Sequence, residues 1–172
     1  MKNTVILNTG GTFNKIYNEL SGNLVFSNTP NIHINKILIS TFKRNIDDIS
    51  WLEVSTLFSK DSLEISSFDI DKICNFVSSL ECKNIIIIHG TDTIDKTALK
   101  LSKVFLSKQI IFVGSMVPFS FNNIEASFNL GMALGFIESN FSDGVYISMN
   151  GIIKEFDKIE KDRDNGYFKI KG

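Results

Sequence analysis

The sequence shows no excess of charge of either sign, because its 172 residues include 18 lysine and arginine residues and 19 aspartate and glutamate residues. We therefore expect no nucleic-acid partner and no basic surface for a membrane. No apolar run approaches the roughly 20 residues of a membrane-spanning helix. The amino terminus lacks the charged and apolar regions of a secretory signal. These absences predict a cytoplasmic protein.

Cysteine and histidine are also scarce in this chain. Cys74 and Cys82 are the only cysteines and form no Cys-x-x-Cys pair, so free thiols in a reducing compartment are expected. His33 and His89 stand far apart without clustered carboxylates, so we predict no metal site. His89 ends an apolar run, where a packed imidazole is more common than a general base.

The glycine motifs of nucleotide-binding proteins are missing too. The glycine-rich segment TGGTF at 9–13 is not Gly-x-Gly-x-x-Gly, and no Gly-x-x-x-x-Gly-Lys-Ser/Thr occurs. No acidic residue follows a recognisable second strand at the spacing that a dinucleotide ribose needs. A nucleotide-binding flavodoxin-like domain is therefore a weak alternative, and no cofactor is expected.

What the sequence does contain is an alternation of strand and helix patterns. Apolar segments predict strands over 4–8, 51–58, 84–90, 109–116 and 143–151, an extended segment over 22–28, and helices over 31–40, 68–80, 92–106 and 123–139. The run 84–90 is typical of a central parallel strand buried on both faces. The predicted fold class is α/β, with a three-layer, doubly wound, mostly parallel sheet of the flavodoxin or Rossmann kind.

In such a fold, ligands bind outside the carboxyl ends of the strands. Those ends are predicted at 9–12, 59–62, 89–93 and 114–118 and after Met149. Serine and threonine hydroxyls there become nucleophiles when a base takes their proton, and backbone N–H groups beside Gly10, Gly11 and Gly90 suit an oxyanion. Two structural interpretations stay open: Gly10-Gly11 as a tight turn, and Thr-Asp-Thr at 91–93 as a helix N-cap.

Three segments in one order resemble the L-asparaginase/glutaminase family. They are TGGTF at 9–13, HGTDTIDKTA at 89–98, and FVGSMVPF followed by FNLGMALG between 112 and 135. The resemblance covers nearly all of the chain. It implies an amidohydrolase that converts the side-chain amide of a small amino acid, L-asparagine or a related amide, to the acid and ammonia through a threonine acyl-enzyme.

The resemblance also implies a catalytic set. Thr12 and Thr91 would face the substrate amide from opposite sides, and Tyr17, in the loop after TGGT, would activate Thr12. Asp92 and Lys161 would pair with Thr91. The lysines that compete for the place of Lys161 are Lys158 and, more weakly, Lys154.

The implied substrate-binding residues are Gly11, Ser59, Lys60, Asp61, Gly90 and Ser115. Three positions depart from the family pattern. Lys60 replaces a glutamine, Val117 replaces an arginine, and Glu125-Ala126 stands for an acidic residue followed by glycine. A cationic Lys60 would change which substrate acid is preferred.

Family members generally carry a second, C-terminal domain that helps to complete the pocket across a dimer. We expect residues 1–172 to form a single domain that corresponds to the N-terminal one, without its usual partner domain. Such a chain is expected to self-associate into a homo-oligomer. The alternative function is an amino-acid or amide-binding module, or a subunit of a larger assembly, with weak or no turnover.

Overall fold

The computed structural model describes residues 3–140 and 142–172. The strands are β1 Thr4–Gly10, β2 Lys15–Asn18, β3 Asn23–Phe26, β4 Leu52–Lys60, β5 Asn84–Ile88, β6 Gln109–Val113, β7 Gly144–Met149, β8 Ile152–Glu155, β9 Ile159–Asp162 and β10 Tyr167–Ile170. The α-helices are α1 Ile32–Phe42, α2 Ser67–Ser79, α3 Ile94–Val104 and α4 Asn123–Ser139. Among these residues, no helix is long and apolar enough to cross a membrane.

The main sheet has six strands in the order β4-β1-β5-β6-β7-β8. Its first five strands are parallel, and β8 pairs antiparallel with β7 at one edge. The inner strands β1, β5, β6 and β7 are buried on both faces, as a parallel sheet covered by helices requires, whereas β4 at the edge is partly exposed. The prediction of a mostly parallel, doubly wound sheet is confirmed.

Side chains alternate across the sheet and build two apolar layers. Leu7, Ile85 and Ile87 pack with residues of α2 and α3 on one face. On the other face, Ile86 and Ile88 pack with residues of α1 and α4. Because the period of a strand is two residues, the unbroken isoleucine run of β5 serves both layers at once.

Two small hairpins were not predicted as such. β2 and β3 form an antiparallel pair just after β1, and β9 and β10 form another near the end of the chain. Only the extended segment at 22–28 was expected, and β3 confirms it. Strands of four residues with exposed side chains carry little alternation, so their pairing is not visible in the sequence.

Candidate active site

Three strand ends meet in a contact that only glycine allows. Gly11 has φ +79°, and a Cβ there would lie 2.6 Å from the Cα of Gly90. A Cβ on Gly90 would in turn lie 2.7 Å from the Cβ of Ser62. The N–H of Gly11 donates to the carbonyl of Lys60 at 2.9 Å. The Gly10-Gly11 pair therefore makes a tight turn that also packs the ends of β1, β4 and β5 together.

Lys161 lies directly against Thr91 and Asp92. Its Nζ donates to Thr91 Oγ1 at 2.8 Å and to Asp92 Oδ1 at 2.8 Å. The β9–β10 hairpin brings this side chain over the sheet edge, where it is 13% exposed. Lys158 is instead 61% exposed, with its Nζ 3.5 Å from Asp157. The geometry therefore joins Lys161, and not Lys158, to the Thr91-Asp92 pair.

Asp92 is held in its ionised form by two cations. The hydrogen bond from Lys161 is the main cause that lowers the pKa of the Asp92 carboxyl below its usual value, and partial burial opposes it. Arg163 adds a second contact, with one guanidinium nitrogen 3.0 Å from Asp92 Oδ1 and the other 2.8 Å from the Asp92 carbonyl oxygen. A carboxylate so paired stays charged well below neutral pH.

Thr12 follows Gly11, on the β1 side of the contact between Gly11 and Gly90. It begins a single 3-10 turn over 12–14 and is half-buried. Gly11 precedes Thr12, and Gly90 precedes Thr91. Because these two glycines are in contact, both threonines lie next to the point where the ends of β1 and β5 pack together. Tyr17 follows on β2 of the first hairpin, exposed, with its ring 6.5 Å from that of Phe121.

The predicted substrate-binding charges are engaged within the chain. Lys60 Nζ donates to Asp69 Oδ2 at 2.7 Å, so its ammonium is drawn to the amino end of α2. Asp61 accepts from Lys15 Nζ, with the shorter distance 2.8 Å. Ser59 is partly buried and directly precedes Lys60 in β4. The side chain of Ser59 is therefore the polar group of this segment that lies outside the two ion pairs.

The Ser115 side chain forms its hydrogen bond within the loop after β6. Its hydroxyl donates to the carbonyl of Val117 at 2.7 Å. Glu125 of α4 accepts from the backbone N–H groups of Met116, at 3.0 Å, and of Val117, at 3.1 Å. The loop that carries an arginine in the family is thus fixed here by a carboxylate on backbone amides.

Both histidines lie in packed positions. His89 Nδ1 lies 2.8 Å from the carbonyl oxygen of Gly90, so it carries the proton, and Nε2 accepts from Thr97 Oγ1 at 3.0 Å. Complete burial lowers the pKa of His89 to about 4. His33 Nδ1 lies 3.3 Å from the carbonyl oxygen of Phe13. As expected for His89, the imidazole is a satisfied core group.

The Thr-Asp-Thr segment does precede a helix. Thr93 occupies the N-cap of α3, and its hydroxyl donates to the carbonyl of Ser62 at 2.8 Å. Ser62 Oγ also accepts from the N–H of Asp92 at 3.1 Å. The segment is therefore tied to the end of β4, and the capping position and the candidate site coincide.

Sequence reasoning missed three charged partners of the site: Lys15, Asp69 and Arg163. For Asp69 a signal existed, because Ser66 stands three residues earlier and the two form a capping box at the start of α2. Lys15 and Arg163 carry no comparable signal. Their partners lie 46 and 71 residues away, and only the folded chain brings them into contact.

The described residues hold no group of three or more histidine, cysteine, aspartate or glutamate side chains arranged for a metal ion. A cleft of about 280 Å³ opens beside Thr91, Asp92, Lys161 and Arg163. A larger, more open cavity of about 630 Å³ lies around Phe119 and the first helix, away from these groups. We place the candidate site at the former, because the paired hydroxyl, amine and carboxylate are there.

Known proteins with similar sequences carry asparaginase names. The "Glutaminase-asparaginase" of Pseudomonas fluorescens biotype A is 27% identical over 176 aligned positions, which cover 95% of this chain and 45% of that protein. The protein of the same name from Pseudomonas aeruginosa is also 27% identical, over 87% of this chain and 42% of its own length. The chain thus spans less than half of either relative.

Solved structures show the same architecture. The thermostable L-asparaginase of Thermococcus kodakarensis superposes with a TM-score of 0.77 at 26% identity, over 99% of this chain and 51% of that one. L-asparaginase I of Vibrio cholerae gives a TM-score of 0.78 at 19% identity, which supports the fold alone. Residues 3–166 match the family description of the asparaginase N-terminal domain. The chain therefore belongs to the asparaginase family, through the N-terminal part of its fold.

Proposed function

We propose that this protein is an amidohydrolase that hydrolyses the side-chain amide of a small amino acid, L-asparagine or a related amide. The observation that carries the proposal is the contact of Lys161 Nζ with both Thr91 Oγ1 and Asp92 Oδ1. An amine that donates to a hydroxyl and to an ionised carboxylate is a unit that can orient the hydroxyl and assist proton transfer at a bound amide. Support for Thr12 as the nucleophile comes from the contact of Gly11 with Gly90, because Thr12 follows Gly11 at the end of β1, the neighbour of β5 in the sheet.

In the proposed reaction, Thr12 Oγ1 attacks the amide carbonyl carbon, and its proton passes to the phenolic oxygen of Tyr17 as the phenolic proton of Tyr17 passes to the amide nitrogen. The C–N bond then breaks, and the nitrogen leaves as ammonia. Water then attacks the threonine ester, which releases the acid and restores the Thr12 hydroxyl. Because Thr91 Oγ1 accepts from Lys161, the Thr91 hydroxyl hydrogen can itself be donated to a bound amide.

The α-groups of the substrate are assigned to the same edge of the sheet. Asp92 supplies a carboxylate for the ammonium through Oδ2, because its contacts with Lys161 and Arg163 are made by Oδ1. Ser59 supplies a hydroxyl for the carboxylate. Lys60 contributes little net charge there, because Asp69 neutralises it at 2.7 Å. Backbone N–H groups near Gly11 and Gly90 suit the oxyanion, since both glycines let the backbone approach a ligand closely.

The first experiment measures ammonia release from asparagine, glutamine and related amides by the wild-type protein and by two lysine variants. Lys161→Met should lower kcat by at least about 100-fold, because it removes the partner of both Thr91 and Asp92. Lys158→Met is the matched control, three residues away and exposed, and should stay within about twofold. Equal activity of the two variants would contradict the assignment of Lys161.

A second candidate is a protein that binds an amide without turning it over. It is favoured by one observation: among the described residues, the cleft beside Thr91 is lined by Asp92, Lys161 and Arg163 but not by Thr12 or Tyr17. Saturable binding of an amide in calorimetry, without ammonia release by wild-type protein, would support this function over hydrolysis.

We also propose a homo-oligomer in the cytoplasm that binds a small amide. Support for self-association comes from exposed apolar side chains on α4, Ile124 and Phe128 among them. Support for a reducing compartment comes from Cys74 and Cys82, which are both free thiols in the fold.

A further inference from the structure

We propose that Asn8 and Asn14 form a buried amide clamp that fixes Gly10 and so positions Thr12 for attack, an inference that rests on the proposed function. Asn8 is 0% exposed and Asn14 is 2% exposed. Amide side chains at such depth are costly unless their donors and acceptors are paired. The clamp is the set of bonds that these two side chains make with each other and with Gly10.

The clamp holds both backbone polar groups of Gly10. The N–H of Gly10 donates to Asn8 Oδ1 at 3.0 Å. Asn14 Nδ2 donates to the carbonyl of Gly10 at 2.8 Å and to Asn8 Oδ1 at 2.9 Å. Gly10 has φ +106°, and the pairing of β1 with β4 shifts register between Asn8 and Gly10. The two side-chain amides therefore form hydrogen bonds with the N–H and carbonyl groups of Gly10, at the point where the ladder between β1 and β4 is interrupted.

The bond from Asn14 to Gly10 encloses Thr12. It closes a five-residue loop that runs from Gly10 through Gly11 and Thr12 to Asn14. Inside this loop, the N–H of Asn14 donates to the carbonyl of Gly11 at 3.1 Å. The closing bonds fix the backbone of such a loop. They therefore also fix the direction in which a side chain at its middle leaves the backbone.

Rigid elements hold the clamp in turn. Asn8 Nδ2 donates to the carbonyl of Pro30 at 2.8 Å and to Asn31 Oδ1 at 3.1 Å, at the start of α1. Thr56 of β4 donates to the same Asn31 Oδ1 at 2.7 Å. The turn before Thr12 is thus tied to a helix and to two strands. Because Asn8 and Asn14 are buried, they act through the turn and not by touching a substrate.

The test compares Asn8→Ala and Asn14→Ala with Gln109→Ala. Gln109 is the matched control, since it is also buried and its side-chain amide donates to the carbonyl of Asn140 at 2.8 Å, at the amino edge of the sheet. All three variants lose a buried amide bond and should show similar falls in Tm. The two clamp variants should lose at least about tenfold in kcat with KM within about threefold, because a displaced nucleophile costs turnover more than binding.

Gln109→Ala should keep kcat within about twofold of the wild-type value. If the clamp variants keep kcat as well as this control does, the clamp has a structural role only and the inference is overturned. Should an alanine variant fail to fold, Asn14→Asp supplies the same comparison, because it keeps the side-chain shape and removes the donor to Gly10.

A second readout does not depend on ammonia release. Amide hydrogen exchange at Gly10 and Gly11 should be at least about tenfold faster in the clamp variants than in Gln109→Ala, because the turn opens locally. If wild-type protein releases no ammonia, the proposed function fails while exchange still decides whether the clamp fixes the turn. Equal exchange rates in clamp and control variants would overturn the inference.

Discussion

The candidate site depends on residues that have no side chain as much as on those that react. Gly11 and Gly90 touch through their backbones, and this contact sets the separation of the strand ends that carry Thr12 and Thr91. Position 11 requires glycine for two reasons: its φ is positive, and a Cβ there would clash with the backbone of Gly90. These two causes can be separated by experiment, because another glycine of the chain shares only the first.

Gly11→Ala is expected to cost about 3 kcal/mol or more of unfolding free energy, the sum of a backbone conformation (φ +79°, ψ 175°) that is essentially restricted to glycine and a forced displacement of Gly90. Gly166→Ala is the control: Gly166 has φ +73°, and a Cβ there meets nothing within 4 Å. It should cost only about 1 kcal/mol. Urea unfolding measures both values, and equal losses would show that the contact with Gly90 contributes nothing.

Helix α2 is joined to the site through its first turn. Asp69 accepts from Lys60 Nζ at 2.7 Å, from the N–H of Ser66 at 2.9 Å and from Ser66 Oγ at 2.8 Å. The hydrogen bond from Lys60 is the main cause that lowers the pKa of Asp69 to about 2, below its ordinary 3.8. The helix start, the strand end and a predicted substrate-binding lysine therefore depend on one ionised carboxylate.

Asp69→Asn should lower the unfolding free energy by about 1–2 kcal/mol at pH 7, because it removes the charge from three hydrogen bonds. The depressed pKa makes this stabilisation complete above the ordinary value of 3.8 and lost as pH falls toward about 2. The gap between wild type and variant, measured by urea unfolding, should close over that range.

The matched control for this prediction is Asp71→Asn on the same helix. Asp71 is exposed and its carboxylate lies 3.8 Å from Lys100 Nζ, so its loss should change stability by less than about 0.5 kcal/mol. A gap between wild type and Asp69→Asn that stays constant down to pH 2 would contradict the role given to the Asp69 charge.

On the scale of the whole molecule, α4 and the loop before it carry exposed apolar side chains. Ile124 and Phe128 of α4 are exposed, and Val117 and Phe121 in the preceding loop are exposed as well. Ile124 and Phe128 are four residues apart and so share one face of the helix, and an exposed apolar face is typical of an interface. We expect a second copy of the chain to cover it, in agreement with the proposed oligomer.

Phe128→Glu, which alters a side chain 57% exposed, should shift the oligomer toward monomer at micromolar concentration, as measured by light scattering after gel filtration. A charge placed in an apolar interface loses its hydration on association, so the equilibrium moves toward the separated chains. Leu106→Glu is the control, 81% exposed at the far end of α3. Equal masses for both variants would exclude this face as the interface.

The parts of the fold that could be predicted are those with a strong local pattern. The apolar run at 84–90 and the helix pattern at 123–139 correspond to β5 and α4, because burial on both faces or along a helix leaves a periodic trace. The hairpin of β9 and β10 left none, since its four-residue strands are short and each places one residue, Ile159 or Phe168, in the core. Yet this hairpin is what carries Lys161 to Thr91.

The candidate site divides in the same way. Strand-end positions and the resemblance to asparaginases together predict Thr12, Thr91 and Asp92 as site residues, because parallel strands present their carboxyl ends at one edge. The contact of Lys161 with Thr91, the pairing of Lys60 with Asp69, and the amide clamp around Gly10 appear only in the folded chain. The sequence pattern indicates which groups reach the sheet edge. Contacts between residues 4 to 70 positions apart determine which partners those groups have, because hydrogen bonds and ion pairs form between the side chains that the packing of β1, β4, β5 and β9 brings together.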